Sequence, residues 1–165
     1  MEEVVKRVVD VAPGVKNLVI TGGEPLLQIP ALEFFLEKIF PFFYYVEIET
    51  NGTLSPLKIK SEIHYNVSPK LSNSGEKRER RLNLDVLREF SGLPSFFKFV
   101  VKDREDVEEV VSLASVLNIP KSRIYLMPMA RNASDLSTRA RGVALLAMEY
   151  GFRYSDRLHL RLSLP

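Results

Sequence analysis

The sequence contains no cysteine and no tryptophan, only two histidines, and no apolar run near the roughly 18 residues needed to cross a bilayer. The missing thiols exclude disulfides, thiolate zinc sites, a cysteine nucleophile and an iron–sulfur cluster held by the chain itself. Neither His64 nor His159 has a partner at metal-ligand spacing, so no protein metal site is expected. Charge is close to balanced: 23 Lys and Arg against 21 Asp and Glu leave a formal +2. That gives no electrostatic reason to expect nucleic acid or a membrane as partner. No signal-peptide pattern opens the chain, and a cytoplasmic location is expected. The densest basic run, Lys77-Arg78-Glu79-Arg80-Arg81 beside Glu76, reads as a solvated loop.

What is present is a chain of 165 residues, 45% hydrophobic, with 10 Phe and 6 Tyr to fill a core. It reads as one domain over residues 1–165, with no repeat and no linker. Its many Glu, Lys and Arg and its ten prolines lean towards a heat-adapted source.

Apolar spacing predicts a helix over 2–11 that sets Val4, Val5, Val8 and Ala12 at helical spacing with Glu2, Lys6 and Arg7 outward and stops at Pro13-Gly14. A β-branched strand follows over 17–21. Pro30 then sits at a first helical position, with Leu32, Phe35, Leu36, Ile39 and Phe40 repeating behind it until Pro41. Further strands are predicted over 44–49, 63–67, 96–101 and 123–127, the fourth apolar enough to be buried on both faces. Between them come a short crossover over 54–61, a polar loop over 72–81, and a helix over 83–90. Asp103 caps the next helix, which carries Val107, Val110, Val111, Ala114 and Leu117. A last helix over 134–150 ends before Gly151 and buries Leu136, Ala140, Val143, Ala144 and Ala147, and 158–164 reads as an apolar, alternating tail. Five strands separated by crossovers imply an α/β fold: a parallel sheet or an incomplete barrel.

The unusual residues fall just past the carboxyl ends of those strands, the rim where parallel α/β folds bind ligands. Thr21-Gly22-Gly23-Glu24-Pro25 ends the first strand, Thr50-Asn51-Gly52-Thr53 the second and Ser68-Pro69-Lys70 the third. Two adjacent glycines permit positive φ and let a ligand approach the main chain. Glu24 adds a fixed charge and Pro25 stiffens the exit. An amino-acid headgroup, whose ammonium wants carbonyls and whose carboxylate wants N–H donors, suits such a turn. Taken singly, each tip is equally readable as an ordinary strand-to-helix turn.

Together, residues 21–28 (Thr-Gly-Gly-Glu-Pro-Leu-Leu-Gln), Glu49-Thr50-Asn51-Gly52-Thr53, Ser68-Pro69-Lys70-Leu71-Ser72, Lys98-Phe99-Val100-Val101 and Arg157-Leu158-His159 resemble the 7-carboxy-7-deazaguanine synthases, a family of radical S-adenosylmethionine enzymes. The likeness runs from about Val4 to the end of the chain. It implies an incomplete parallel (β/α) barrel of the radical S-adenosylmethionine type. An iron–sulfur cluster cleaves S-adenosylmethionine there, and 6-carboxytetrahydropterin is contracted with loss of ammonia on the route to queuosine or archaeosine. The resemblance implies that Gly22, Gly23 and Glu24 form the cofactor loop, Gly23 offering its backbone to the methionyl amine and Glu24 shaping the turn, that Glu49, Ser68, Pro69 and Lys70 hold the ribose and carboxylate, and that Met127 and Pro128 line the adenine. Thr21, His159 and the terminal carboxylate of Pro165 would touch the pterin. Homodimers are implied as well.

The chain departs from that pattern in two places. The family carries its cluster cysteines, its magnesium ligand and several pterin contacts on a first strand and loop that precede everything seen here, and Met129-Ala130 replaces a more polar pair. The expectation is therefore a C-terminal portion of such a synthase, inactive as an isolated chain and with no catalytic side chain assigned. Two other readings stay open. One is a cluster-free module that binds S-adenosylmethionine or a nucleotide, and the other is one half of a split radical enzyme, such as a glycyl-radical activating type. Without a preceding strand, residues 17–21 would present an apolar edge, and self-association is expected from it.

Overall fold

The computed structural model describes residues 2–11, 13–59 and 63–163. Expectations for Ala12, for the end of the short crossover at Ser61, and for Leu164 and Pro165 fall outside those residues. The described chain alternates helix and strand throughout: α1 (Glu2–Val11), β1 (Asn17–Ile20), α2 (Ile29–Ile39), β2 (Tyr45–Thr50), β3 (His64–Val67), α3 (Arg78–Arg81), α4 (Leu84–Ser91), β4 (Ser95–Val101), α5 (Arg104–Leu117), β5 (Ile124–Pro128), α6 (Ala133–Tyr150), β6 (Arg153–Tyr154) and α7 (Leu158–Arg161). Helix starts follow local chemistry. Asn83, Asp103 and Asn132 each cap a helix by accepting an N–H from its first turn, and Asn118 and Gly151 close α5 and α6 in left-handed conformation.

The strands form one six-stranded sheet in the order β1-β2-β3-β4-β5-β6, every pairing parallel. Strand order that never reverses, joined by right-handed crossovers, puts the connecting helices on one face. The sheet is therefore the wall of a partial barrel and not a doubly wound layer, as the family resemblance implied. On the helix-covered face Val46, Ile48, Tyr65, Val67, Phe97, Phe99, Val101, Ile124 and Leu126 are buried against Leu36 and Ile39 of α2, Leu87 and Phe90 of α4, Val107 and Val110 of α5, and Val143 and Ala147 of α6. Each such side chain removed from water contributes roughly 1.5–3 kcal/mol. No described helix is long and apolar enough to cross a membrane.

Five expectations need correction. A sixth strand exists, and β6 escapes a search for apolar runs because it is only Arg153 and Tyr154. The tail is not extended: residues 158–161 turn into a short helix that leaves Leu158 and Leu162 exposed. β4 is fully buried on one face only, with Phe96, Lys98 and Val100 half-exposed on the other. The basic run is not wholly solvated, because α3 turns Arg81 inward, 9% exposed, to meet Glu109 of α5 at 2.8 Å. Ala140 and Ala144 of α6 are half-buried where burial was expected. β1 has no neighbour on its outer side among the described residues, and Val19, on the helix-free face beside Glu47, is 49% exposed.

Candidate functional site

The Gly-Gly turn adopts the backbone that its composition demands. Gly22 has φ +97° and Gly23 φ +57°, and a Cβ built on either would meet nothing within 4 Å. These glycines therefore serve conformation and access, not packing. Glu24 is engaged from within the chain. Its carboxylate accepts from Thr50 Oγ1 at 2.9 Å, Asn51 N at 2.8 Å and Leu26 N at 3.2 Å. It thereby bolts the β1 tip to the β2 tip and caps the 3-10 turn Pro25–Gln28. Thr50 Oγ1 in turn accepts from Gly52 N at 3.1 Å.

Across the sheet, the tips are linked through the face that no helix covers. Thr21 Oγ1 donates to Glu49 at 2.9 Å, and Lys98 reaches over β3 to the other Glu49 oxygen at 3.5 Å. Ser68 N donates to Thr50 O at 2.8 Å and its hydroxyl to Lys98 O at 3.0 Å. Thr21, Glu49, Ser68 and Lys98 thus form one chain of contacts over β1 to β4. Below them Glu47 accepts from Tyr45 at 3.1 Å and from Asn66. Burial, helped by that bond and by the Glu47 charge, pushes the Tyr45 phenol up to about 12. The His64 ring lies against the Tyr45 ring, tilted by 31° with the centroids 4.6 Å apart. Towards the far edge, Arg153 donates to Tyr125 at 2.8 Å and lies over the Phe96 and Tyr125 rings.

The structure therefore brings Thr21, Gly22, Gly23, Glu24, Glu49 and Ser68 into one connected rim. Pro69 is buried behind it. Lys70 is exposed and lines a polar cleft with Asn51, Thr53, Glu76, Arg80 and Arg81, beside the Glu24 bolt. Met127 looks onto the open face, but strand alternation turns Pro128 to the buried side with Ile124 and Leu126. His159 sits exposed on α7 with no described contact to the strand tips. Two residues earlier, Arg157 donates to Ala130 O at 2.5 Å and fastens that segment to the β5 tip. The open-face residues Glu47, Asn66, His64, Phe96, Tyr125 and Arg153 were missed as a group. The alternation of Glu with Val and Ile in 45–50 was the available signal for β2, whereas the rows across strands depend on register.

No profile of a protein family matches the chain. The 7-carboxy-7-deazaguanine synthase of Pyrobaculum aerophilum is 36% identical over 164 residues, covering 97% of this chain and 70% of that protein. The chain belongs to the 7-carboxy-7-deazaguanine synthase family. The synthase of Hyperthermus butylicus is 34% identical over 100% of this chain and 72% of its own length, and that of Halobacterium salinarum 33% identical over 88% and 64%. This member of the synthase family thus spans between 64% and 72% of the length of these relatives. An iron–sulfur cluster belongs with the radical S-adenosylmethionine type, and the chemistry of the donor set does not fit one here, since the sequence has no cysteine to supply a thiolate. No radical step is derived from this chain.

Proposed function

We propose that this chain forms the part of a 7-carboxy-7-deazaguanine synthase that holds S-adenosylmethionine and the pterin 6-carboxytetrahydropterin. The observation that carries the reading is the left-handed Gly22-Gly23 turn, open above its main chain and locked by Glu24 to the β2 tip. Gly22 and Gly23 offer backbone groups to the methionyl amine, and Glu24 fixes their position. Glu49 and Ser68 face the ribose, Lys70 the carboxylate, with Pro69 setting the loop between them. Met127 lies against the adenine, with Pro128 stiffening the strand end behind it. Thr21 contacts the pterin, as do His159 and the terminal carboxylate of Pro165. Two copies associate, as light scattering would report.

The deciding measurement is calorimetric titration of the purified chain with S-adenosylmethionine. Saturable binding is expected, together with its loss in Gly23→Val, whose side chain would fill the open approach. A wild-type chain that folds but gives no heat overturns the reading.

A further inference from the structure

The acidic and basic side chains of the described strands all lie on the face that no helix covers: Glu47 and Glu49 on β2, Lys98 on β4 and Arg153 on β6. Glu49 and Lys98 meet at 3.5 Å and offset each other. Glu47 accepts only from neutral groups, the Tyr45 phenol and the Asn66 amide, with His64 opposite it on β3. Arg153 donates to the Tyr125 hydroxyl at 2.8 Å and has no acidic partner among the described residues. The open face is therefore polarised, negative at β2 and positive at β6.

The Arg153 guanidinium is also fixed in advance. Its central carbon lies 5.7 Å from the centre of the Phe96 ring and 5.5 Å from that of Tyr125, and the two rings meet edge to face at 5.4 Å. Resting on aromatic surface, with a phenol oxygen on one nitrogen, it has lost much of its freedom and kept most of its donors. Such a planar fork takes both oxygens of a carboxylate at once, which an ammonium does not.

Shape agrees with charge. Six strands in sequential order form a curved wall, so β6 comes round to face β1 and β2 across the hollow, and a barrel interior of roughly eight-strand size holds one small ligand. The ligand that fits carries N–H donors at one end and a carboxylate at the other. 6-Carboxytetrahydropterin is built in that way, with an amino group and a ring N–H on its pyrimidine edge and the carboxylate on the opposite ring.

We propose that Arg153, set in place by Phe96 and Tyr125, binds the carboxylate of the pterin, which lies across the open face with its amino end towards β1 and β2. This rests on the pterin reading above, which names Thr21, and adds the residue that separates a carboxypterin from a pterin without the carboxylate.

The test follows pterin fluorescence anisotropy on titration with the full chain, using 6-carboxypterin and unsubstituted pterin as probes and circular dichroism to confirm folding. The wild type should prefer 6-carboxypterin by roughly tenfold or more, the size expected of a charged hydrogen bond. Arg153→Met should remove that preference by weakening 6-carboxypterin alone. Arg153→Lys, which keeps the charge without the fork, should restore part of it. Both replacements keep an unbranched stem over the rings. No preference in the wild type overturns the proposal, as does a parallel loss of both probes in Arg153→Met, which would mark a structural role. A preference that persists in Arg153→Met removes Arg153 and leaves the pterin reading standing. Binding of neither probe to the wild type sinks the pterin reading and Arg153 with it, while the S-adenosylmethionine titration still reports on the rest of the proposed function.

Discussion

The two ends of the sheet treat their cations in opposite ways. At the amino end, Arg123 is fully employed: its guanidinium donates to Ser95 O at 2.7 Å, Ser91 O at 2.8 Å, Ser95 Oγ at 2.6 Å and the carbonyl of Leu93. Burial lowers its pKa, but every bond it makes is to a neutral acceptor, so its work is to close the turn between α4 and β4. At the carboxyl end, Lys70 and Arg80 have no described partner. A cation whose donors are all used stabilises a fold, and one whose donors are unused is available to a ligand. The same division separates the glycines. A Cβ on Gly52 would lie 2.6 Å from Leu87 Cδ2 and 2.7 Å from Val67 Cγ1, whereas Gly22 and Gly23 have empty space beside them.

Substitutions at both ends can break or sharpen that contrast. Arg123→Ala strands three part-buried carbonyls, of Ser91, Leu93 and Ser95, and should cost about 4 kcal/mol, at roughly 1–3 kcal/mol for each unsatisfied group, read as a lowered urea midpoint. Gly52→Ala meets two core side chains at φ +74°. It should cost about 3 kcal/mol from overpacking and left-handed strain, by the same measurement.

Glu109 tests the boundary between the two classes, because it is a carboxyl-end residue with a stabilising role. Burial pushes its carboxyl up, but hydrogen bonds from Ser72 and Arg81 outweigh that and hold it below the ordinary 4.5. A depressed acid contributes its stability above the unfolded pKa and loses it as pH falls through the folded one. Unfolding midpoints should therefore drop on acidification below pH 4.5. Glu109→Gln should remove about 2 kcal/mol at neutral pH and flatten that acid slope. Last and smallest, Arg80→Ala should change stability by no more than about 0.5 kcal/mol. A clearly lowered melting temperature for this variant would erase the distinction drawn between the ends.

Much of the fold was legible because its signals are local. Val and Ile runs ending at Gly22-Gly23 or Asn51-Gly52, and Asp103 or Asn83 ahead of an apolar repeat, each identify an element without reference to the rest. β6 was not legible: two residues carry no periodicity, and Arg153 with Tyr154 becomes a strand only because β5 offers it an edge. Arg81 was hidden for a related reason, since a run of basic residues contains nothing that says which one turns inward to Glu109. Of the site, Gly22, Gly23, Glu24, Glu49 and Ser68 could be named from strand ends alone. The reach of Lys98 over β3 to Glu49 depends on side-chain length and register across the sheet, which no single segment contains.

The strictly sequential strand order has a bearing on how the chain is made. Every strand after β1 docks on the one translated just before it, so no pairing must wait for distant sequence to leave the ribosome. Each β–α unit, on emerging, finds its template already present, and the sheet can lengthen edge by edge during synthesis. In such growth each new strand covers the free edge of the one before it, and among the described residues the sheet is left with two uncovered borders, on β1 and on β6.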